Sequence, residues 1–443
     1  MDLHPEHDRK VAAVAQALRE RAERGEPVHI SKGGVQHVVP LPGDRRRLGA
    51  PIDVSGLNRI LSIDPKARTC VAEPGIAFSE VLKATLAHGL IPTVVPELEG
   101  IALGGAVAGC SVESMSYKYG GFHDGCLEYE IVTSAGEVLT CSREKEPLAF
   151  EMIHGSYGTL GVLTRLTFKL VPATPYVRME YRTLPSPEAF RDFMFERCQA
   201  DDYDFVDGII HSPDRCVACL GKFVESVPYT SSYRRGAIFY KSTLARTEDF
   251  LTTDEYCFRY DADCHWLTRS IPPLEWEPVR KMLGGVFLGS TNLIRWSKRL
   301  DRVLGLKKRP DVVCDVFIPG SNFHDFFSWY RRTFDYWPLW VVPYRMPLQP
   351  YAWMSDAVQQ SLGSALAFDC AVYGKVNAGE EDFSALLEEK TFELGGIKTL
   401  IGRNHYSPER FWRVYHEKNY GQAKQRLDPR GAFPGLYEKF HRA

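Results

Sequence analysis

The sequence predicts an α+β protein of two interlocked domains, on three observations. Short apolar segments alternate with helical patterns through the first 170 residues, the pattern turns to aromatic-rich strands and long helices after Val171-Pro172, and a chain of 443 residues is too long for one simple core. Hydrophobic content of 44% and charged content of 25% are those of a soluble globular protein.

The elements follow in chain order. Val11, Val14 and Leu18 recur at helical spacing and predict an amphipathic first helix that ends before Gly25. Val28 to Ile30, Ile52 to Val54, Ile60 to Ile63 and Cys70 to Ala72 are short apolar runs between Gly, Pro and Asp turns, and read as strands. Phe78, Val81, Leu82 and Leu86 share one face of a helix over 78–88, stopped by Gly89. Glu128 to Leu139 reads as a hairpin turning at Ser134-Ala135-Gly136-Glu137, and Leu163 to Phe168 alternates as a strand. No G-x-G-x-x-G opens a helix, which argues against a doubly wound dinucleotide fold.

Composition narrows the function. A formal charge of −2 recommends no nucleic-acid partner. The first thirty residues lack a secretory apolar core and no run of about eighteen apolar residues occurs, so a cytoplasmic protein is expected. Eleven cysteines form no disulfide framework, and Cys216-Val217-Ala218-Cys219 reads as two strand positions rather than a redox or zinc pair. No metal-ligand spacing is present.

Val95 to Phe122 holds six glycines and a Ser-Glu-Ser-Lys-Tyr series, with too few large apolar side chains for ordinary core. Glycine runs let backbone N–H groups approach a ligand, and a flat, phosphate-bearing cofactor suits such a cradle. A second glycine turn, Ser31 to His37, lies upstream, and a third, Gly155 to Val162, lies downstream.

In order and content these segments resemble the flavin-binding domain of the p-cresol methylhydroxylase and vanillyl-alcohol oxidase superfamily. Cys110 to Phe122, with Glu113-Ser114 and Lys118-Tyr119-Gly120, is similar to the FAD loop of the 24-dehydrocholesterol reductase group, which includes bacterial methylene-fatty-acyl reductases. The likeness continues through Thr268-Arg269-Ser270, Trp340 to Tyr344, Phe411-Trp412 and Ala432 to Tyr437. It implies a two-subdomain FAD-binding domain over 1–172, a substrate cap over 173–395, and a segment over 396–443 that returns to the FAD domain.

The same resemblance implies an FAD site at Lys32, Gly33, Gly34, Val35, Gln36, His37, Pro96, Gly104, Gly105, Gly109, Cys110, Ser111, Val112, Glu113, Ser114, Ser116, Lys118, Tyr119, Gly120, Gly158, Thr159, Gly161 and Val162. Many relatives attach the flavin through a histidine in the first turn. His37 falls one position past that point, which is Gln36 here, so non-covalent FAD is expected.

The group implies NADPH-driven saturation of an isolated carbon–carbon double bond in a lipid, either a methylene-branched fatty acyl chain or a sterol-like side chain. Such an alkene resists direct hydride attack, so an acid must protonate it first in a dry slot. Candidate acids are Glu113, Tyr119, Tyr260 and His265, with Arg269 as a phosphate or lipid ligand and Lys118 as a partner of Glu113 or of flavin. Trp266, Trp276, Trp296, Phe317, Trp337, Trp340 and Tyr344 are candidates to line the slot. The competing expectation is an oxidase or dehydrogenase of an alcohol, sugar or hydroxy acid, the commoner employment of the superfamily. A third is a flavin-binding scaffold without turnover.

Between Leu293 and Leu304, Leu293, Trp296, Leu300, Val303 and Leu304 share a helical face opposite Arg295, Lys298, Arg299 and Arg302, and Lys307 to Arg309 extend the charge. That stretch reads either as a surface helix packed on its own domain or as a peripheral contact with the anionic inner face of a membrane. The oligomeric state is left open.

Overall fold

Three sheets organise the chain. We describe it from a computed structural model that covers residues 4–33, 47–293, 295–296, 311–347, 349–363 and 366–441. The first helix, Pro5–Glu23, buries Val11, Val14, Ala15 and Leu18. On the same helix His7 sits between two carboxylates, Glu73 and Glu130, each 2.9 Å away, which fastens it to the sheet behind.

The smallest sheet pairs β1 (Val28–Ser31) with β2 (Ala50–Asp53) in parallel. A six-stranded antiparallel sheet follows from β3 (Ile60–Asp64), β4 (Thr69–Ala72), β5 (Leu90–Pro92), β6 (Cys126–Val132), β7 (Val138–Ser142) and β8 (Val162–Pro172), in the order β3-β4-β8-β6-β7 with β5 also on β8. The helix Phe78–Leu86 buries Phe78, Val81 and Leu82, and Gly89 closes it at φ +66°. The β6-β7 hairpin turns at Gly136, φ +74°, a left-handed conformation that a side chain resists. These local expectations hold because apolar spacing and glycine position decide them without distant partners.

The cap is one eight-stranded antiparallel sheet. Its strands are β9 (Tyr176–Leu184), β10 (Phe205–Ser212), β11 (Arg215–Val224), β12 (Glu248–Thr252), β13 (Val312–Pro319), β14 (Leu339–Tyr344), β15 (Ala367–Lys375) and β16 (Ile397–Lys398), in the order β12-β9-β11-β10-β14-β15-β13-β16. Strand alternation gives it two apolar faces. Val206, Ile210, Ala218, Val316, Val341 and Cys370 pack under the helices Pro187–Ala200, Phe323–Trp329 and Phe383–Glu393. Ile209, Val217, Phe317, Trp340, Val342 and Ala371 join the core of the first domain. Cys216 and Cys219 lie in β11, and all eleven cysteines are free thiols.

The last cap strand, β16, ends at Lys398, and the chain then crosses back. Ala432 accepts from the Val28 N–H (2.8 Å), Leu427 from the Ser134 N–H (3.0 Å), and Thr159 binds both the Tyr420 hydroxyl and Lys424 Nζ. The FAD-type domain is thereby closed by residues from both ends of the sequence. No helix among the described residues is long and apolar enough to cross a membrane.

Candidate active site

The three glycine turns meet. A Cβ on Gly105 would lie 2.8 Å from Lys32 Nζ, a Cβ on Gly158 would lie 2.8 Å from the Ile30 side chain, and the Tyr157 N–H donates to the Ala108 carbonyl at 3.2 Å. Gly158, at φ +72°, needs glycine for its backbone as well, whereas at Gly105 the Lys32 chain end would have to move aside for a side chain. Gly104, Gly105 and the run Ala108 to Val112 stay partly exposed among buried neighbours. Burial pulls the Lys32 ammonium below its ordinary pKa, and no carboxylate among the described residues pairs with it. A half-buried cation without an anion, beside a glycine backbone, fits the pyrophosphate of FAD. Gly34, Val35, Gln36 and His37 lie outside the described residues.

We expect Lys32→Met to weaken FAD binding by about 1.5–3 kcal/mol, roughly ten- to a hundredfold in Kd. Titration of the apoprotein with FAD measures this, and an unchanged Kd would take Lys32 out of the cofactor site.

The other expected cofactor residues are placed by their own contacts. Gly33 is exposed next to the first turn, and Pro96 is buried. Gly161 packs against Ile131 and Val132, Val162 joins a buried apolar cluster, and Thr159 is used by Tyr420 and Lys424. Cys110 adopts φ +54° at the end of the glycine helix, and burial drives its thiol pKa well up. Ser116 Oγ accepts from the Glu113 N–H (3.0 Å), and Gly120 turns the loop at φ +75° against Asp124. Ser111 accepts from the Phe122 N–H at 2.9 Å.

Two of the expected catalytic residues, and Lys118, stand elsewhere. Lys118 pairs with Asp201 at 2.7 Å, not with Glu113, because the loop aims it outward at the cap's rim. Tyr119 is half-buried with Lys118, Asp204 and Asp201 as its nearest charges, away from the buried acids. Arg269 is exposed and donates to the Trp337 carbonyl at 2.6 Å, a contact within the cap. Among the aromatics, Trp266, Phe317, Trp340 and Tyr344 are buried in the core shared by the two domains. Trp276 points into solvent, Trp296 is half-buried beside Phe287, and Trp337 belongs to the opposite core.

Glu113, Tyr260 and His265 do converge, and residues that the sequence reading missed bring them together. Glu113 on the glycine loop pairs with Arg259 of the cap at 2.8 Å and accepts from both the N–H and the hydroxyl of Ser114, which also contacts Tyr256 Oη at 2.9 Å. Burial raises the Glu113 carboxyl to about 7 in spite of the Arg259 charge. Arg259 also reaches Asp207 on β10 at 3.0 Å and lies over the rings of Tyr256 and Tyr260 at 4.3 and 4.8 Å. Asp207 takes further hydrogen bonds from Tyr260 (3.2 Å) and Trp340 (2.7 Å). This is a buried clamp between flavin loop and cap.

Beyond Tyr260 lies a second group. His265 stacks on Tyr260, 5.0 Å between centroids, and is walled by Trp340, Trp266 and Tyr373. Its Nε2 contacts Glu97 of the first domain at 3.1 Å, and its Nδ1 is buried without a hydrogen-bond partner among the described residues. Cys264 and His265 are consecutive non-glycine residues at φ +44° and +65°, strain of the kind that clusters at functional sites. The sheet register sets Trp340, Ala371 and Asp315 in one row and Val342, Asp369 and Phe317 in the next. Asp315 therefore faces the same side as Asp369 and receives the Tyr373 hydroxyl. Burial, aided by the charge of Glu97, pushes Asp315 up to about 6. Asp369 is driven well above the carboxylate range by burial first, then by Asp315 and Glu97. Two acids of this box, Asp315 and Asp369, are thereby shifted toward the protonated form, and Glu97 holds the imidazole beside them.

The comparisons agree with this architecture. The family model described as FAD binding domain matches residues 7–142. Delta(24)-sterol reductase of Homo sapiens is 23% identical over 454 residues, covering 99% of this chain and 87% of that protein. The Pisum sativum protein of the same name is 23% identical over 477 residues, covering 98% and 84%. Cytokinin dehydrogenase 2 of Oryza sativa subsp. japonica is 27% identical over 226 residues, covering 47% and 39%. The FAD binding domain match and the similarity of nearly the whole chain to the Delta(24)-sterol reductases support a flavin-dependent oxidoreductase of the p-cresol methylhydroxylase and vanillyl-alcohol oxidase superfamily, similar to its sterol reductase-like group.

Proposed function

We propose that this protein reduces an isolated carbon–carbon double bond in a lipid chain, with NADPH as electron donor. The observation that carries the reading is the buried acid group where the cap's inner sheet face meets the first domain: Asp315 and Asp369 on the sheet and Glu97 of the first domain, with His265 on Glu97 and Trp340 and Tyr373 against its ring. A methylene branch on a fatty acyl chain and a branched alkene in a sterol-like side chain both protonate to a tertiary cation. The acid group supplies that proton to the less substituted carbon. Trp340, Trp266 and Tyr373 exclude water and present π faces to the positive charge. FAD, when bound, would supply the hydride chemistry at the cationic carbon, with NADPH as the proposed source of the electrons. Proton and hydride together saturate the bond.

The names of the full-length relatives support this class of reaction. Anaerobic NADPH is expected to bleach the protein's flavin absorbance, and a methylene-branched acyl lipid or a branched-alkene sterol to restore it. If neither happens, the reading is rejected. Lipid mass spectrometry of cells lacking the protein, which should accumulate the unsaturated precursor, then names the substrate.

One observation favours a second reading. His265 Nδ1 is buried without a hydrogen-bond partner among the described residues while Nε2 is held by a carboxylate, an arrangement that also suits a base taking the hydroxyl proton of an alcohol. Flavin reduction by an alcohol, with no response to NADPH, would select it.

A further inference from the structure

The helix Glu277–Phe287 is inside out. It buries Arg280 and Gly284, while Met282, Leu283 and Val286 stand in solvent at 76%, 37% and 52% exposure. Arg280 explains the inversion. Its guanidinium bonds Asp263 (Nη2 at 3.1 Å), the Gly236 carbonyl (2.7 Å) and the Leu274 carbonyl (3.1 Å), so a buried charge network, rather than apolar packing, fixes the helix to the cap. The preceding turn adds exposed Ile271 and Trp276, the latter at 67%. Five large apolar side chains facing water along 271–286 are the opposite of a normal surface helix.

We propose that this face docks on the surface of an anionic lipid bilayer. Trp, Met, Val and Leu on one side, with lysine near their rim, is the composition of an interfacial helix. Lys281 is exposed in the middle of the helix and paired with Glu277 at 2.6 Å, while Arg235 beside the helix and Arg295 just beyond it are exposed cations, and the sequence then runs Lys298, Arg299, Arg302, Lys307, Lys308 and Arg309 against one acid, Asp301. That excess of positive charge complements anionic headgroups. It disfavours a second copy of the chain, which would bring the same net charge to this face. The contact thus centres on 271–286 rather than on 293–309, most of which lies outside the described residues. Asp263, which anchors the helix through Arg280, lies two positions before His265, so the docking face and the imidazole that Glu97 holds are tied to one loop. Docking itself does not depend on the reaction proposed above.

The experiment is co-flotation of the full chain with phosphatidylcholine vesicles, with and without phosphatidylglycerol, beside light scattering in solution. The unaltered protein should float with the anionic vesicles and weakly with the neutral ones. The double variant Met282→Asp/Val286→Asp should lose about tenfold or more of that partitioning while retaining flavin and melting temperature. Protein that floats with neither vesicle, or a variant that floats as well as the original, overturns the proposal. So does a solution dimer that the variant splits, which would give the face to a second copy.

Discussion

Arg259→Leu is expected to be the most damaging single substitution in the chain, destabilising it by about 3–5 kcal/mol. Arg259 is 1% exposed and stands between two carboxylates, Glu113 and Asp207, that are themselves buried. Removing it leaves both acids in a low-dielectric interior without a counter-charge, and also removes the stacked contacts with Tyr256 and Tyr260. Because domains are stable by only about 5–15 kcal/mol, the melting temperature should fall steeply and purified protein should lose flavin, since the clamp joins the glycine loop to the cap. Thermal denaturation followed by flavin fluorescence measures both. Adding Glu113→Gln and Asp207→Asn to the leucine variant should recover part of the loss, because the uncompensated charges are then gone. A leucine variant that melts with the original would show that the clamp carries little of the domain interface.

The local structure around this clamp was legible in the sequence because short-range rules decide it. Phe78, Val81 and Leu82 fall on one helical face whatever lies beyond them, and Gly89 and Gly136 occupy left-handed turns that their flanking patterns require. The glycine cradle was legible for the same reason, since close approach of Lys32 and Ile30 to glycine is written into residue type. The pairing of Lys118 with Asp201 rather than Glu113 was not legible, because Asp201 is 83 residues away and comes near only when cap and loop are assembled. Arg269 was drawn in by resemblance alone, and its side chain turns outward.

The acids were missed although a signal existed. Asp207 interrupts Phe205-Val206 and Gly208-Ile209-Ile210, Asp369 interrupts Ala367-Phe368 and Cys370-Ala371-Val372, and Asp315 interrupts Val312-Val313-Cys314 and Val316-Phe317-Ile318. A lone aspartate inside an apolar strand of a sheet covered on both faces is buried by construction, and a buried acid needs either a partner or a proton. Asp207 found the partner, Arg259, whereas burial shifts Asp315 and Asp369 toward the protonated form. What periodicity could not supply was the order of strands, which sets β13, β14 and β15 side by side and so collects acids from positions 315 and 369 next to a histidine from position 265.

Replacing His265 with glutamine, or Asp369 with asparagine, should leave flavin reduction by NADPH intact and slow reoxidation by the alkene by about 10²–10⁴-fold, the usual worth of a positioned proton donor. Rapid mixing separates the two half-reactions, and equal slowing of both would mean distortion of the flavin site instead. The pH profile adds a test that packing damage does not mimic. The donor works protonated, so alkene reduction should be fast at low pH and decline as pH rises through about 6, where burial and the Glu97 charge have placed Asp315. These groups face one another and titrate together, so the limb belongs to the cluster. Glu97→Gln removes a negative charge that raises both Asp315 and Asp369, and should move the declining limb to lower pH. His265→Gln removes an influence that lowers Asp315, and should move its limb the other way. Stability follows the same sign. A carboxyl whose folded-state value is raised contributes fully below its unfolded value of about 3.9 and loses that contribution as pH rises through about 6, so the melting temperature should fall across that window and fall less in Asp315→Asn. A limb that stays in place in both Glu97→Gln and His265→Gln would remove this cluster from the proton path and return the role to Glu113, whose carboxyl stands at about 7 against the flavin loop.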